Sequence, residues 1–211
     1  MTRPRANCPN CGAPVEFQWS KSVQTVCTYC RSILVRTEVD LTKVGTVADL
    51  PPDSSPIQLR TEGTYRSHAF VVVGRIIYEY DQGIWNEWHI SLNDGRSGWL
   101  SDAQAQYAVS FPSAHKDLPA SDTINVGSRF TWDGMVYTTT TITRARYRGV
   151  EGELPFQYRG KDSSVFVDLR TSSSGFATLD YSDQEPKLYI GEAVDFDELR
   201  LKNLRTFEEW A

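Results

Sequence analysis

The sequence lacks the long apolar segments that membrane insertion or export would require. No apolar run approaches the roughly 20 residues that a membrane-spanning helix needs. The polar N-terminus, from Met1 to Asn7, lacks the apolar stretch of a secretory signal. We therefore expect a cytoplasmic protein without a transmembrane segment. Its 211 residues, 40% hydrophobic and 23% charged, have the composition of a folded globular protein.

The sequence also lacks the motifs of common catalytic sites. It contains no GxSxG, HExxH, phosphate-loop or GxGxxG pattern. The histidines number only three, His68, His89 and His115, and a lone histidine beside a strand is more often structural than catalytic. These absences favour a non-catalytic protein.

Negative charge outweighs positive charge beyond Arg36. The formal net charge of the chain is -5. Residues 1–36 carry five basic side chains and one acidic side chain, whereas the remainder is acidic. If the four cysteines bind one divalent ion as thiolates, they add net negative charge to residues 1–36 and so reduce the positive charge of this segment. Such a charge distribution argues against nucleic acid as a partner.

All four cysteines lie near the N-terminus, as two C-x2-C pairs with a fifteen-residue spacer between them. They are Cys8, Cys11, Cys27 and Cys30. This spacing is typical of a zinc site, because each tight turn points two sulfur atoms at one ion. Gly12 permits the positive φ that such a knuckle needs. We predict a zinc ribbon over residues 1–38, with a short hairpin of residues 15–19 and 23–26 connecting the knuckles.

Other uses of the four cysteines fit less well. Two disulfides would require an oxidising compartment, and a redox pair would require a βαβ pattern that is absent. A four-cysteine iron site has similar geometry and stays open. With four thiolate ligands the coordination sphere is closed, so the expected zinc ion is structural. A segment this short buries too little core to fold without such support.

The rest of the chain has the pattern of a mainly β protein. A proline- and serine-rich linker at residues 50–56 precedes many β-branched and aromatic segments, with hairpin turns at residues 93–95 and 132–134. We predict a small zinc ribbon followed by an antiparallel β-sheet or barrel-like body. The predicted helices are a short one at residues 101–107 and a longer one at the C-terminus. In the latter, Phe196, Leu199, Leu204, Phe207 and Trp210 share one face.

A weak internal repeat suggests that the body is duplicated. Sliding the chain along itself until Ile57 falls on Ile124 also places Tyr65 on Trp132 and Phe70 on Tyr137, without a gap. We predict a first β-repeat at residues 43–120 and a second at residues 121–211, which includes the C-terminal helix. Chance alignment of two β meanders is the alternative.

Two acidic and aromatic clusters are candidates for recognition. We predict a recognition surface formed by Tyr80, Trp85, Glu87, Trp88, Trp99, Glu151 and Glu153. Core aromatics that alternate with solvated acids are the structural alternative. The functional alternative is an enzyme or small-ligand binder that uses Glu79, Glu87, Glu151 or Glu153, because paired carboxylates can perform acid–base work.

Several motifs in the body, in order, resemble the bacterial family known as domain of unknown function 4178. They occupy residues 70–76, 78–80, 83, 85–88, 94–101, 152–156, 180–182 and 188–189. The resemblance covers about residues 43–205, and some members of the family carry a ribbon in front of this domain. The family has no established activity, so the resemblance implies no catalytic residues.

The resemblance implies an accessory role rather than a reaction. Members are associated with polyamine-synthase-like proteins and with phage-shock-type proteins that maintain membranes. We therefore expect a protein-interaction or adaptor module of the bacterial cytoplasm, with an unidentified protein partner. Peripheral association with the inner face of the membrane is compatible with this role.

Overall fold

Alternating and β-branched segments form antiparallel strands throughout the part of the chain that the structure describes. The computed structural model describes residues 5–37, 41–47, 50, 54–157 and 163–207. The strands of the N-terminal part are β1 (Arg5–Asn7), β2 (Pro14–Glu16), β3 (Gln24–Val26), β4 (Ser32–Arg36) and β5 (Leu41–Thr46). The strands of the body are β6 (Glu62–Tyr65), β7 (His68–Tyr80), β8 (Gly83–Leu92), β9 (Ser97–Ala103), β10 (Gln106–Pro112), β11 (Arg129–Trp132), β12 (Met135–Gly152), β13 (Ser164–Arg170), β14 (Gly175–Asp180) and β15 (Lys187–Val194). The mainly β fold class is therefore confirmed.

The N-terminal ribbon consists of two small sheets. β1 pairs with β2, and β4 pairs with both β3 and β5. The predicted hairpin between residues 15–19 and 23–26 is wrong, because each of these segments pairs across its own knuckle instead. Phe17 and Leu34 are buried in the ribbon together with Cys8 and Cys27.

The body is a sheet that closes on itself. Its strand order is β7, β8, β9, β10, β15, β14, β13 and β12, and β12 pairs again with β7. The C-terminal halves of these two long strands make this closure, with Arg146 opposite Glu79 and Gly152 opposite Gly74. The N-terminal halves pair with the short strands β11 and β6. Eight strands thus enclose an interior.

Side chains alternate between the two faces of the closed sheet. One face lines the interior, and the other face packs in two hydrophobic cores outside the sheet. Trp88, Ile90 and Leu100 pack beneath Ile57 and Leu199 on one side of the body. On the other side, Val167, Leu169, Ala177 and Leu179 pack with Ile124 and Trp132. Successive side chains of a strand point to opposite faces, so the neighbours of these residues face the interior.

The predicted C-terminal helix is wrong. Near the C-terminus, the described part contains only a 3-10 turn at Asp197–Leu199, and Trp210 lies outside the described residues. Arg200 adopts a left-handed conformation with φ 48° and ends this turn. Lys202 then exchanges backbone hydrogen bonds with Glu62 at 2.8 and 3.1 Å. Pairing with the sheet therefore replaces further helix formation.

The short helix predicted at residues 101–107 is also wrong. These residues complete β9 and begin β10. Gln104 and Ala105 have φ values of 51° and 62° and form the hairpin turn between the two strands. The polar sequence of this turn resembles the first turn of a helix, but the flanking strands determine its conformation.

The two halves of the body begin in the same way. The alignment that places Ile57 on Ile124 also superimposes the starts of the strands. Glu62, the first residue of β6, falls on Arg129, the first of β11. His68, the first residue of β7, falls on Met135, the first of β12. The duplication and the predicted division at residues 120 and 121 stay predictions. Within the described residues, no helix has the length and apolar character needed to cross a membrane.

Candidate functional site

The two cysteine knuckles have matching backbone geometry. In the first, the N–H of Gly12 donates to the carbonyl of Cys8 at 2.8 Å, and in the second the N–H of Arg31 donates to that of Cys27 at 2.9 Å. Gly12 and Arg31 have φ values of 74° and 58°. The sequence pointed to the positive φ at Gly12, whereas an arginine gave no such signal at the second knuckle.

The knuckles bring the four cysteine sulfur atoms together. The Sγ atoms of Cys8, Cys11, Cys27 and Cys30 all lie within 4.8 Å of one another. The Cys8–Cys30 and Cys11–Cys27 sulfur distances are 3.6 and 3.8 Å. Four thiolates at a Zn–S distance of about 2.3 Å would stand about 3.8 Å apart. The cluster is therefore compatible with a metal site.

Hydrogen bonds make the thiols of the cluster unequal. The Ser32 hydroxyl lies 3.2 Å from Cys30 Sγ, and hydrogen bonds from Ser32 and Asn10 lower the pKa of Cys30 to about 5. A hydrogen bond from the Ala13 backbone lowers the pKa of Cys11, but hydrogen bonding with the other cysteines and desolvation together outweigh it and raise this pKa to about 12. A divalent ion that binds between the sulfur atoms would displace the protons of the hydrogen-bonded thiols. All four cysteines would then bind the ion as thiolates.

The turn after β12 fastens the ribbon to the closed sheet. The Glu153 carboxylate, only 3% exposed, accepts hydrogen bonds from the backbone N–H groups of Gln18 at 2.5 Å and Trp19 at 3.0 Å. The N–H of Leu154 donates to the carbonyl of Gln24 at 2.8 Å. Hydrogen bonds to a charged group are the stronger kind, so Glu153 anchors the ribbon.

His89 belongs to this joint rather than to a catalytic site. Its Nδ1 lies 2.9 Å from the carbonyl oxygen of Glu153 and must carry the proton, because the carbonyl only accepts. The His89 ring contacts Trp19 and Trp99 with centroid distances of 4.8 and 5.2 Å. Burial lowers the pKa of His89 to about 4. The imidazole is therefore neutral near pH 7 and packs between the ribbon and the sheet.

The interior of the closed sheet contains a cavity with two adjacent ends. The inner end has a volume of about 40 Å³ and the outer end about 260 Å³. Glu87, Ser101, Phe166 and Thr178 line both ends, so the two spaces lie side by side. Asp180 lies at the inner end, while Asp168 and Arg170 lie at the outer end. This cavity is lined by acids from three strands.

Burial perturbs these interior carboxyl groups. It raises the pKa of Glu87 to about 8, against opposing hydrogen bonds from the Ser101 hydroxyl at 2.8 Å and the Trp85 indole at 3.1 Å. Burial also raises the pKa values of Asp168 and Asp180. Within the described residues, no lysine or arginine forms an ion pair with any of the three.

The residues predicted as a recognition surface lie in three different places. Tyr80, Trp85, Glu87 and Trp99 line the interior cavity. Glu153 belongs to the ribbon joint. Trp88 is 0% exposed beneath the guanidinium of Arg75, which also binds Glu151 at 3.0 Å. The structure therefore does not bring the seven together on one outer surface.

Sequence reasoning missed several residues of the cavity. Asp168, Ser110 and Tyr189 line it but were not proposed as site residues. Asp168 is the single acid in the strand segment Val-Phe-Val-Asp-Leu. An acid in such an apolar strand signals a polar interior, whereas Ser110 and Tyr189 carry no comparable signal.

Fold and site together define a four-cysteine ribbon docked on a closed antiparallel sheet. The sequence pattern of the family described as Domain of unknown function (DUF4178) matches residues 58–196, and the chain belongs to this family. The match includes every strand from β6 to β15, and the ribbon precedes it. No curated protein and no solved structure matches the chain.

We predict that Glu87→Gln increases the stability of the protein at alkaline pH. Because the native pKa of about 8 is raised above the ordinary 4.5, the contribution of Glu87 to stability is complete below about pH 4.5 and is lost as the pH rises through about 8. Glutamine cannot ionise. As the pH rises across this range, the unfolding free energy of the variant should therefore increase relative to that of the wild type, by at most about 1.4 kcal/mol per pH unit.

Urea unfolding at several pH values measures this difference. The matched control is Glu185→Gln at an exposed position, which should follow the wild-type profile. A difference between Glu87→Gln and the wild type that does not change with pH would contradict the assignment.

Proposed function

We propose that the four cysteines bind one structural zinc ion and that the protein is a non-catalytic binding module. The observation that carries this proposal is the convergence of the four sulfur atoms within 4.8 Å. Their distances fit a tetrahedral centre of four thiolates, which is a common ligand set of structural zinc. Iron with four thiolates is the alternative, and metal analysis separates the two.

The four acids considered for an enzyme lie in different places, which argues against their joint use in catalysis. Glu79 bonds to Arg146 at 2.6 Å, and Glu151 bonds to Arg75 at 3.0 Å. Glu153 is committed to the ribbon joint. Of the four acids considered for an enzyme, only Glu87 therefore faces the cavity, and acid–base catalysis by a convergent set of them has no geometric support.

We predict that Cys27→Ser releases the zinc ion and unfolds the ribbon but leaves the body folded. The ribbon strands β1, β2 and β3 have only three residues each, and structural zinc supplies most of the folding free energy of such segments, about 10–16 kcal/mol in zinc-finger peptides. Elemental analysis and amide hydrogen exchange measure the two effects.

The matched control is Thr28→Ser, which lies between the same two ligands and should retain about one zinc ion per chain. Near-stoichiometric zinc in a Cys8→Ser/Cys27→Ser double variant would contradict the proposed centre. Iron in the wild-type protein would contradict the choice of metal.

We propose further that the second knuckle presents the surface for a protein partner. Tyr29 lies between Cys27 and Cys30 and is 72% exposed. Because metal ligands flank it, its backbone would be held rigid, which lowers the entropy lost on binding. Exposed tyrosine is enriched at protein interfaces. The buried positions of Trp88 and Trp99 also favour the ribbon over the aromatic clusters as the interaction surface.

We predict that Tyr29→Ser abolishes capture of a partner from the native host. Affinity purification with quantitative mass spectrometry should find a protein enriched by the wild type and lost from the variant. The matched control is Val126→Ser, which also replaces an exposed hydrophobic side chain by serine. Val126 lies in the body and is 67% exposed. A partner retained by Tyr29→Ser would show that the knuckle is not its binding surface.

The cavity favours a second candidate function, the binding of a small ligand inside the closed sheet. Its total space accommodates a small organic molecule, and Glu87 provides a polar contact there. A location in the bacterial cytoplasm is a proposal that rests on the lack of long apolar segments and on the family resemblance. Peripheral membrane association and a link to polyamine-related or membrane-maintenance systems are proposals that derive from the resemblance alone.

A further inference from the structure

The interior carboxyl groups have unused hydrogen-bonding capacity. One oxygen of Asp168 accepts from the Thr178 hydroxyl at 2.8 Å, and within the described residues its other oxygen has no hydrogen-bond donor. Asp180 accepts from the backbone N–H of Ser182 at 2.7 Å, and its hydrogen bonds in that part of the chain come from this one residue. A carboxylate offers about four acceptor positions, so both groups can still bind a donor that enters the cavity.

Two hydroxyl groups at the inner end are also available. Ser110 is only 3% exposed and lines the cavity, and its hydroxyl forms no hydrogen bond within the described part of the chain. The Tyr189 hydroxyl likewise lacks a partner there, and the charges of Asp180 and Glu87 raise its pKa in addition to burial. Both hydroxyl groups can therefore form a hydrogen bond with a ligand or water that enters the cavity.

The nearby bases of the described chain do not balance these acids by direct pairing. Arg170 stacks over Phe176 at 4.7 Å at the outer end. Lys187 bonds to Asp183 at 2.9 Å and lies over the ring of Phe156. Neither base forms an ion pair with an interior acid, and although their charges lower the pKa values of Asp168 and Asp180, burial outweighs them and keeps both values raised. Buried carboxyl groups without a counter-ion either keep their protons or bind a cation from outside.

The surroundings favour an organic cation over a metal ion. Within the described residues, the cysteine quartet is the one group of three or more histidine, cysteine, aspartate or glutamate side chains placed to hold a metal. The inner end is lined instead by the rings of Tyr78, Trp99 and Phe166. Aromatic rings attract ammonium groups through the cation–π interaction.

We propose that the cavity binds a primary amine in its ammonium form, with the head group between Glu87 and Asp180. The ammonium N–H groups donate to these carboxylates and to the hydroxyl oxygen of Ser110, beside the aromatic rings. The inner end, with a volume of about 40 Å³, accepts a head group, and the outer end of about 260 Å³ accepts the carbon chain. This inference rests on the small-ligand role proposed above and names the ligand class.

Isothermal titration calorimetry of the full, metal-loaded chain tests this inference, with n-butylammonium chloride as the probe and 1-butanol as the neutral analogue. The wild type should bind n-butylammonium saturably and 1-butanol at least about tenfold more weakly, because only the cation balances the acids. Asp180→Asn and Glu87→Gln should each weaken n-butylammonium binding at least about tenfold. The matched control Glu185→Gln, at an exposed position outside the cavity, should bind like the wild type.

A second measurement on the wild type alone guards against variants that fail to fold. Because a bound cation favours ionised carboxylates, n-butylammonium should release protons near pH 7, which titrations in two buffers of different ionisation enthalpy detect. Equal binding of 1-butanol, without proton release, would overturn the ammonium class but keep a ligand cavity. Binding of neither probe would overturn both, and binding of Mg²⁺ that depends on the same acids would replace the inference with a metal site.

Discussion

The close approach of two backbone segments at Gly74 and Glu153 is the constraint on which the docking of the ribbon to the closed sheet depends. A Cβ atom at position 74 would lie 1.9 Å from the carbonyl oxygen of Glu153. The N–H of Glu153 donates to the carbonyl of Val73 at 2.8 Å, and this completes the β7–β12 contact. The same residue turns its carboxylate to the ribbon and its carbonyl to His89. One turn thus closes the sheet and docks the ribbon.

This junction joins the ribbon to the interior cavity by a series of ring contacts. The ribbon places Trp19 against His89, and His89 packs against Trp99, which lines the inner end of the cavity. If the proposed metal keeps the ribbon folded, it would also support one wall of the cavity. Binding of the proposed ligand inside the sheet and of the proposed partner at the ribbon would depend on the same set of contacts. Neither kind of binding requires a catalytic group.

The sequence predicted several features that depend on short-range chemistry and missed features that depend on how strands pair, some of them between segments distant in the sequence. The cysteine spacing predicted the sulfur cluster, and the turn residues at 93–95 and 132–134 predicted hairpins, because both are local. The apolar spacing around Phe196 and Leu199 predicted a helix, but the backbone pairing of Lys202 with Glu62 joins segments that are far apart in the sequence. Trp88 faces a hydrophobic core and Glu87 faces the cavity. Which side each residue faces likewise depends on which strands pair with one another.

Amide hydrogen exchange of Gly74→Ala tests the central claim most directly. The added methyl group should separate β7 from the turn at Glu153, destabilise the protein by about 1–3 kcal/mol and remove the exchange protection of the Gln18 and Trp19 amides, while the metal stays bound. The comparison variant is Gly45→Ala, whose Cβ would meet only the Ile33 side chain at 3.5 Å. Slow exchange of Gln18 and Trp19 in a folded Gly74→Ala protein would contradict the account.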